Sequence, residues 1–238
     1  MPATPLDVEN LSAGYGPTRV LEDISFSLPA GGRLALLGRN GMGKTTLLAT
    51  LAGQTRRYDG RIRLGDVDVT PLSSAYRARQ GLGYVPQARC VFPTLTVEEN
   101  LFVGLKDRPK TDLQQAYDMF PRLFERRRNL GSQLSGGEQQ MLTTARSILG
   151  RPSVLLLDEP LEGLAPVICD ELMAAFSQLA STGDMTIVLV EQRIQSALDF
   201  ADQVVVLERG RVAWSGTPKQ LTADHDTVER LLGVGGLH

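Results

Sequence analysis

Apolar residues along this chain fall into short continuous or alternating blocks, set between stretches where they recur every three or four positions. The blocks at Leu6–Leu11, Val20–Leu28, Arg33–Leu37, Arg61–Leu64, Gly83–Val85, Val154–Leu157, Thr186–Val190, Gln203–Leu207 and Arg211–Trp214 predict strands, several of them buried on both faces. The longer periodic stretches predict helices over Lys44–Ala52, Thr96–Gly104, Asp112–Arg128, Gly136–Leu149, Pro166–Ala180 and Gln192–Phe200, with a helical tail over 217–238. Strands alternating with helices imply a parallel sheet wrapped by helices. Two regions depart from the alternation. The first 30 residues and 60–70 are rich in strands and turns and predict an antiparallel lobe, whereas 88–150 is almost entirely helical. The expected organisation is one α/β domain: 1–86 and 151–216 form the core with its β lobe, and 87–150 a helical subdomain.

Composition narrows the classes of function. At 238 residues, with 42% hydrophobic and 22% charged positions, the chain holds enough apolar material for one large core and does not resemble a disordered segment. A formal net charge of −2 gives no basic footprint for nucleic acid. Cys90 and Cys169 lie in no metal-ligand or disulfide spacing, which fits a reducing compartment. No apolar run approaches the roughly 18 residues needed to span a bilayer, so any work at a membrane requires docking onto other subunits.

The chemistry is concentrated in three places. Gly38, Arg39, Asn40, Gly41, Met42, Gly43, Lys44 and Thr45 match GxxxxGK[ST] between a strand and a helix. In such a loop, backbone N–H groups close around phosphate, the lysine reaches the β- and γ-oxygens, and the threonine hydroxyl meets Mg²⁺; Thr46 follows in the same turn. The strand Val154–Leu157 then delivers Asp158 and Glu159 to the ligand edge of a parallel sheet. Asp158 suits the Mg²⁺ shell, and Glu159 suits a general base polarising water. Finally, Leu134, Ser135, Gly136, Gly137 and Glu138 place a small hydroxyl and two glycines at a helix start, where exposed N–H groups and the helix dipole attract an anion. One chain therefore carries two half-sites for phosphate, which implies two molecules enclosing each nucleotide.

These motifs, in this order and over nearly the whole chain, resemble the nucleotide-binding subunits of ABC transporters, whose signature is usually LSGGQ where this chain reads LSGGE. The resemblance implies a P-loop NTPase fold with a RecA-like parallel-sheet core, an antiparallel β lobe and a helical signature subdomain. It also implies MgATP as the bound ligand. By position, Tyr15 is similar to the aromatic that stacks on adenine, although a residue between Gly14 and Gly16 also suits a turn cap. Gln87 is similar to the glutamine linking the γ-phosphate and metal to the helical lobe, and Ser135–Gly137 to the contacts made in trans. In place of a switch histidine the chain reads Glu191, Gln192, Arg193, and Ala165 stands where the family carries an aspartate; His225 and His238 are its only histidines. These GLAP and VEQ variants resemble importer subunits for branched-chain amino acids, urea and short amides. Gln192 can donate a hydrogen bond to a γ-phosphate oxygen but carries no charge.

The resemblance further implies a peripheral subunit on the cytoplasmic face of the inner membrane that receives permease subunits at the apolar loop around Val91, Phe92 and Leu95, residues that also suit packing in the helical lobe. With Gln192 and Ala165 both departing from the pattern, a heterodimer with a second ATPase subunit is expected in preference to a homodimer. An exporter or lipid-extraction ATPase, and a soluble ABC-type factor, remain the alternatives.

Overall fold

The computed structural model describes residues 2–106 and 108–233. Its elements follow the chain as β1 (Leu6–Tyr15), β2 (Thr18–Leu28), β3 (Arg33–Leu37), α1 (Lys44–Leu51), β4 (Arg56–Leu64), β5 (Val67–Asp68), α2 (Ser74–Arg79), β6 (Leu82–Val85), α3 (Val97–Leu105), α4 (Leu113–Met119), α5 (Pro121–Glu125), α6 (Gly136–Leu149), β7 (Val154–Asp158), α7 (Pro166–Ser181), β8 (Thr186–Val190), α8 (Ile194–Phe200), β9 (Gln203–Glu208), β10 (Arg211–Gly216), α9 (Pro218–Ala223) and α10 (His225–Leu232). Of the expected tail, residues 234–238, including His238, lie outside the described residues.

Six strands form the central sheet in the order β10-β9-β3-β8-β7-β6, parallel except for β10, and four form an antiparallel sheet ordered β2-β1-β4-β5. Side chains alternate across the central sheet and reach two different cores. Leu34, Leu36, Leu156 and Val188 pack with Leu6, Leu11, Leu21 and Ile62 of the antiparallel sheet, while Leu155, Leu157, Ile187 and Leu189 pack with Leu172, Phe176, Met141 and Ile148 of the covering helices. Both faces are thus dry, which is why the runs Leu34–Leu37, Val154–Leu157 and Ile187–Val190 within these strands are apolar without a break. Helix α1 lies among the residues of the inter-sheet core and buries seven of its eight residues, Lys44 among them. A third core holds α8, α9 and α10 against Ala35, Leu37, Val204 and Val206.

Several expected elements change in extent. β1 runs past Leu11 to Tyr15 through register shifts on either side of Leu11, with Asn10 in the left-handed region at φ 48°. The neighbouring strand accommodates this bulge through Gly60, where a Cβ would sit 2.5 Å from the carbonyls of Glu9 and Asn10. β4 begins at Arg56 rather than Arg61, and β5 and α2 have no apolar periodicity to announce them. α2 nevertheless supplies Arg77, whose buried guanidinium donates to the carbonyls of Thr50 and Leu51 at 2.8 Å and so caps the C-terminus of α1.

The helix expected over Asp112–Arg128 is broken into a 3₁₀ turn at Lys110–Asp112, α4 and α5. Phe120 lies outside the helical region at φ −134° and ψ 83° because it precedes Pro121, whose ring excludes the α conformation there. Arg126, Arg127 and Arg128, expected to close that helix, consequently fall past the end of α5; Arg126 reaches Glu138 at 3.4 Å. The helix expected from Gln192 starts at Ile194, leaving Glu191, Gln192 and Arg193 in the loop after β8.

Candidate functional site

The phosphate loop joins β3 to α1 at the carboxyl edge of the parallel sheet. Gly38, Gly41 and Gly43 all hold positive φ, at 142°, 79° and 102°. Gly38 tolerates no side chain, since a Cβ would lie 2.4 Å from the Leu207 carbonyl of β9. The N–H groups of Asn40, Gly41, Gly43, Lys44, Thr45 and Thr46 find no backbone acceptor among the described residues, and no side chain caps the helix start. A concentrated set of unpaired donors at a helix N-terminus fits a polyphosphate.

Lys44 is buried, its ammonium 2.8 Å from the Gly38 carbonyl, 3.2 Å from that of Arg39 and 4.0 Å from Glu159 Oε1. Burial lowers its pKa, and Glu159 and Asp158 oppose the change. Asp158, at the end of β7, is fully buried, and its side-chain partners among the described residues are the hydroxyls of Thr45 at 3.2 Å and Tyr84 at 3.2 Å. Burial raises the Asp158 pKa despite those two bonds. A buried carboxylate beside a threonine hydroxyl, with no ion pair to Asp158 among the described residues, is an oxygen donor pair of the kind Mg²⁺ accepts when phosphates and water complete its shell. The residues present therefore fit both groups.

Glu159 occupies the left-handed region at φ 47° and donates its N–H to the Val190 carbonyl at 2.9 Å. Such a conformation in a non-glycine residue stores strain, and here it turns the side chain out of the strand direction at the cleft. Glu159 Oε2 accepts from Gln192 Nε2 at 2.7 Å and from Gln87 Nε2 at 3.3 Å. The cleft these residues share has a volume of about 310 Å³ and is lined by Val20, Asn40, Gly41, Gly43, Lys44, Thr45, Thr46, Gln87, Glu159, Glu162 and Gln192. A larger cleft of about 450 Å³ beside α4 and α7 contains Arg108 and Arg151, both paired with Asp112. Lys44, Asp158 and Glu159 converge at the smaller cleft and are absent from the larger one.

Tyr15 and the Ser135–Glu138 segment do not line this cleft. Tyr15 is half exposed at the end of β1, paired with Thr18 across the hairpin. Ser135 caps α6: its hydroxyl accepts from the Glu138 N–H at 3.3 Å, and the Glu138 carboxylate accepts from the Ser135 N–H at 2.8 Å. Burial pushes the Glu138 pKa up, but Ser135 and Arg126 outweigh it and hold the group below its usual range. Gly137 permits close packing of α6 on α7, since a Cβ would meet Ile168 at 3.1 Å. Sequence reasoning missed Tyr84, Glu162 and Val20. Glu162 could have been noticed three positions after Glu159, whereas only the sheet pairing brings Tyr84 to Asp158.

A family model described as ABC transporter matches residues 21–162. The chain belongs to the ABC transporter family. It is 38% identical to the high-affinity branched-chain amino acid transport ATP-binding protein BraG of Pseudomonas aeruginosa, covering 96% of this chain and 99% of BraG. It is 32% identical to the lipopolysaccharide export system ATP-binding protein LptB of Haemophilus influenzae, covering 96% and 97%. A nucleotide-free ATP-binding cassette from an ABC transporter superposes with a TM-score of 0.83 at 22% identity, covering 98% of this chain and 99% of the cassette, and shares the fold. This ABC subunit is thus an ATP-binding ATPase with a P-loop core, an antiparallel lobe and a helical signature region.

Proposed function

We propose that the protein energises an importer of branched-chain amino acids or related small solutes as a peripheral ATPase on the inner face of the cell membrane. The observation that carries this reading is the near full-length similarity to BraG, and the Gln192–Glu159 bond at 2.7 Å supports a role for the glutamine in the cleft. No helix among the described residues is long and apolar enough to cross a membrane, so docking onto a permease is needed. Phe92 is exposed in the loop assigned to that contact, with the Arg146 guanidinium 4.7 Å from its ring centroid; Val91 packs partly against the helical core and Leu95 is half-buried. Similarity to LptB supports export of a lipid as the second reading.

In this assignment the loop N–H groups and Lys44 hold the β- and γ-phosphates. Thr45, Asp158 and Gln87 would hold Mg²⁺, which when bound would supply neutralisation of the phosphate charge. Glu159 accepts a proton from the attacking water, and Gln192 orients Glu159 and donates to the γ-phosphate. Tyr15 stacks on adenine. Ser135, Gly136, Gly137 and Glu138 present the α6 N-terminus to the nucleotide of a partner ATPase, because the same segment stands outside this chain's own cleft. A different ATPase opposite would supply what Gln192 and Ala165 lack, which favours a heterodimer.

Glu159→Gln should keep MgATP binding while losing roughly 10²- to 10⁴-fold in turnover; wild-type turnover would remove Glu159 from the role. Affinity purification of the intact complex from detergent-solubilised membranes should bring hydrophobic subunits and a second ATPase. Recovery of two copies of this chain with no other ATPase would refute the heterodimer, and amino-acid uptake unchanged by deletion of this subunit would refute the importer.

A further inference from the structure

Glu162 lies in the turn between β7 and α7, and its side chain borders the nucleotide cleft. Gln87 Nε2 donates to Glu162 Oε2 at 2.6 Å and to Glu159 Oε2 at 3.3 Å, so one amide group is shared between two carboxylates and Glu162 holds the shorter bond. The turn that presents Glu162 is fixed from several sides. The Glu162 N–H donates to the Glu159 carbonyl at 3.2 Å, the Leu161 N–H to Glu191 Oε1 at 2.8 Å, and Arg89 Nη2 to the Glu162 carbonyl at 3.3 Å. These bonds fix the backbone from which the Glu162 side chain extends, and the bond to Gln87 Nε2 is what holds its carboxylate at the cleft.

A glutamine side chain donates through its nitrogen and binds a cation through its oxygen. Fixing the nitrogen on Glu162 fixes where the oxygen faces. We propose that Glu162 is a positioning residue that parks Gln87, keeping its amide partly off Glu159 and out of the metal shell until MgATP draws it across. This inference rests on the nucleotide-site reading above. The parking bond is charge-assisted, which strengthens it, but Glu162 is exposed and water weakens it. Loading the metal nucleotide has to break that bond, whereas loading ATP without metal leaves it intact. Simple repulsion between Glu162 and the phosphates behaves differently, since it acts at least as strongly on metal-free ATP, which carries more negative charge.

The test is calorimetric titration of the full-length protein with AMP-PNP, in Mg²⁺ and in EDTA, for wild type, Glu162→Ala, Gln87→Ala and the double variant. Glu162→Ala should tighten binding roughly threefold to tenfold in Mg²⁺ and less than about twofold in EDTA. In the Gln87→Ala background it should change nothing, because the parked group is gone. Equal tightening in Mg²⁺ and EDTA, the same effect without Gln87, or no effect at all would overturn the proposal. Lys44→Ala serves as the control for the underlying site. If it abolishes binding while Glu162→Ala has no effect, parking alone fails; if it leaves binding unchanged, the site assignment itself fails.

Discussion

Glu191 is 4% exposed at the end of β8, where its Oε1 accepts from the Leu161 N–H at 2.8 Å and its Oε2 from the Gln192 N–H at 3.2 Å. Burial pushes its pKa up from 4.5 to about 7, with the backbone N–H groups of Leu161, Gln192 and Arg193 opposing and nearby Glu159 adding to the rise. The folded carboxyl thus binds its proton more tightly than the unfolded one, and between pH 4.5 and about 7 the folded state holds more protons. Stability from this group is then fully present below pH 4.5, falls as pH rises through that window and is flat above it. A gap from 4.5 to about 7, at about 1.36 kcal/mol per pH unit, corresponds to roughly 3 kcal/mol. The assay is urea unfolding of wild type and Glu191→Gln in EDTA from pH 5 to 8.5. The amide keeps the shape but places a donor near the Gln192 N–H, so a constant offset is expected and only the slope is diagnostic. The stability difference, wild type minus variant, should fall by roughly 2 to 3 kcal/mol and level off near pH 7. Parallel curves would refute the argument that burial outweighs three N–H donors.

Three further outcomes follow from the site. Lys44→Ala should weaken nucleotide binding at least roughly tenfold in a fluorescent-nucleotide titration while leaving the melting temperature unchanged or raised, because a desolvated ammonium is removed. Tyr15→Ala should weaken ATP binding by about 1 to 3 kcal/mol if the half-exposed ring stacks on adenine, with Tyr15→Phe tolerated; unchanged affinity would leave it a turn residue. Ser135→Ala should cost about 1 kcal/mol of stability through loss of the α6 cap. ATP-driven dimerisation of that variant, read by light scattering, should fall by more than the stability loss explains.

The sequence by itself determined the strands that are buried on both faces, because Val154–Leu157 and Ile187–Val190 are apolar at every position; that Asp158 and Thr186 are buried with them was not legible there. It determined the phosphate loop and the signature cap as well, since GRNGMGKT and LSGGE are local arrangements of backbone donors whose chemistry depends on neighbours only a few residues away. The break at Phe120 was also local, present in Pro121, and was outweighed by the periodicity around it. Tertiary structure alone decided what meets in the cleft. Tyr84 reaches Asp158 because β6 pairs with β7, and Gln192 and Glu191 reach the 159–162 turn because β8 ends beside β7. The cap that Arg77 places on α1, and the hold that Glu162 has on Gln87, join residues 26 and 75 positions apart. No period or motif encodes such contacts: hydrogen bonds form between side chains that the packing of the sheets brings within 3 Å or so of each other, and that proximity exists only once the chain is folded.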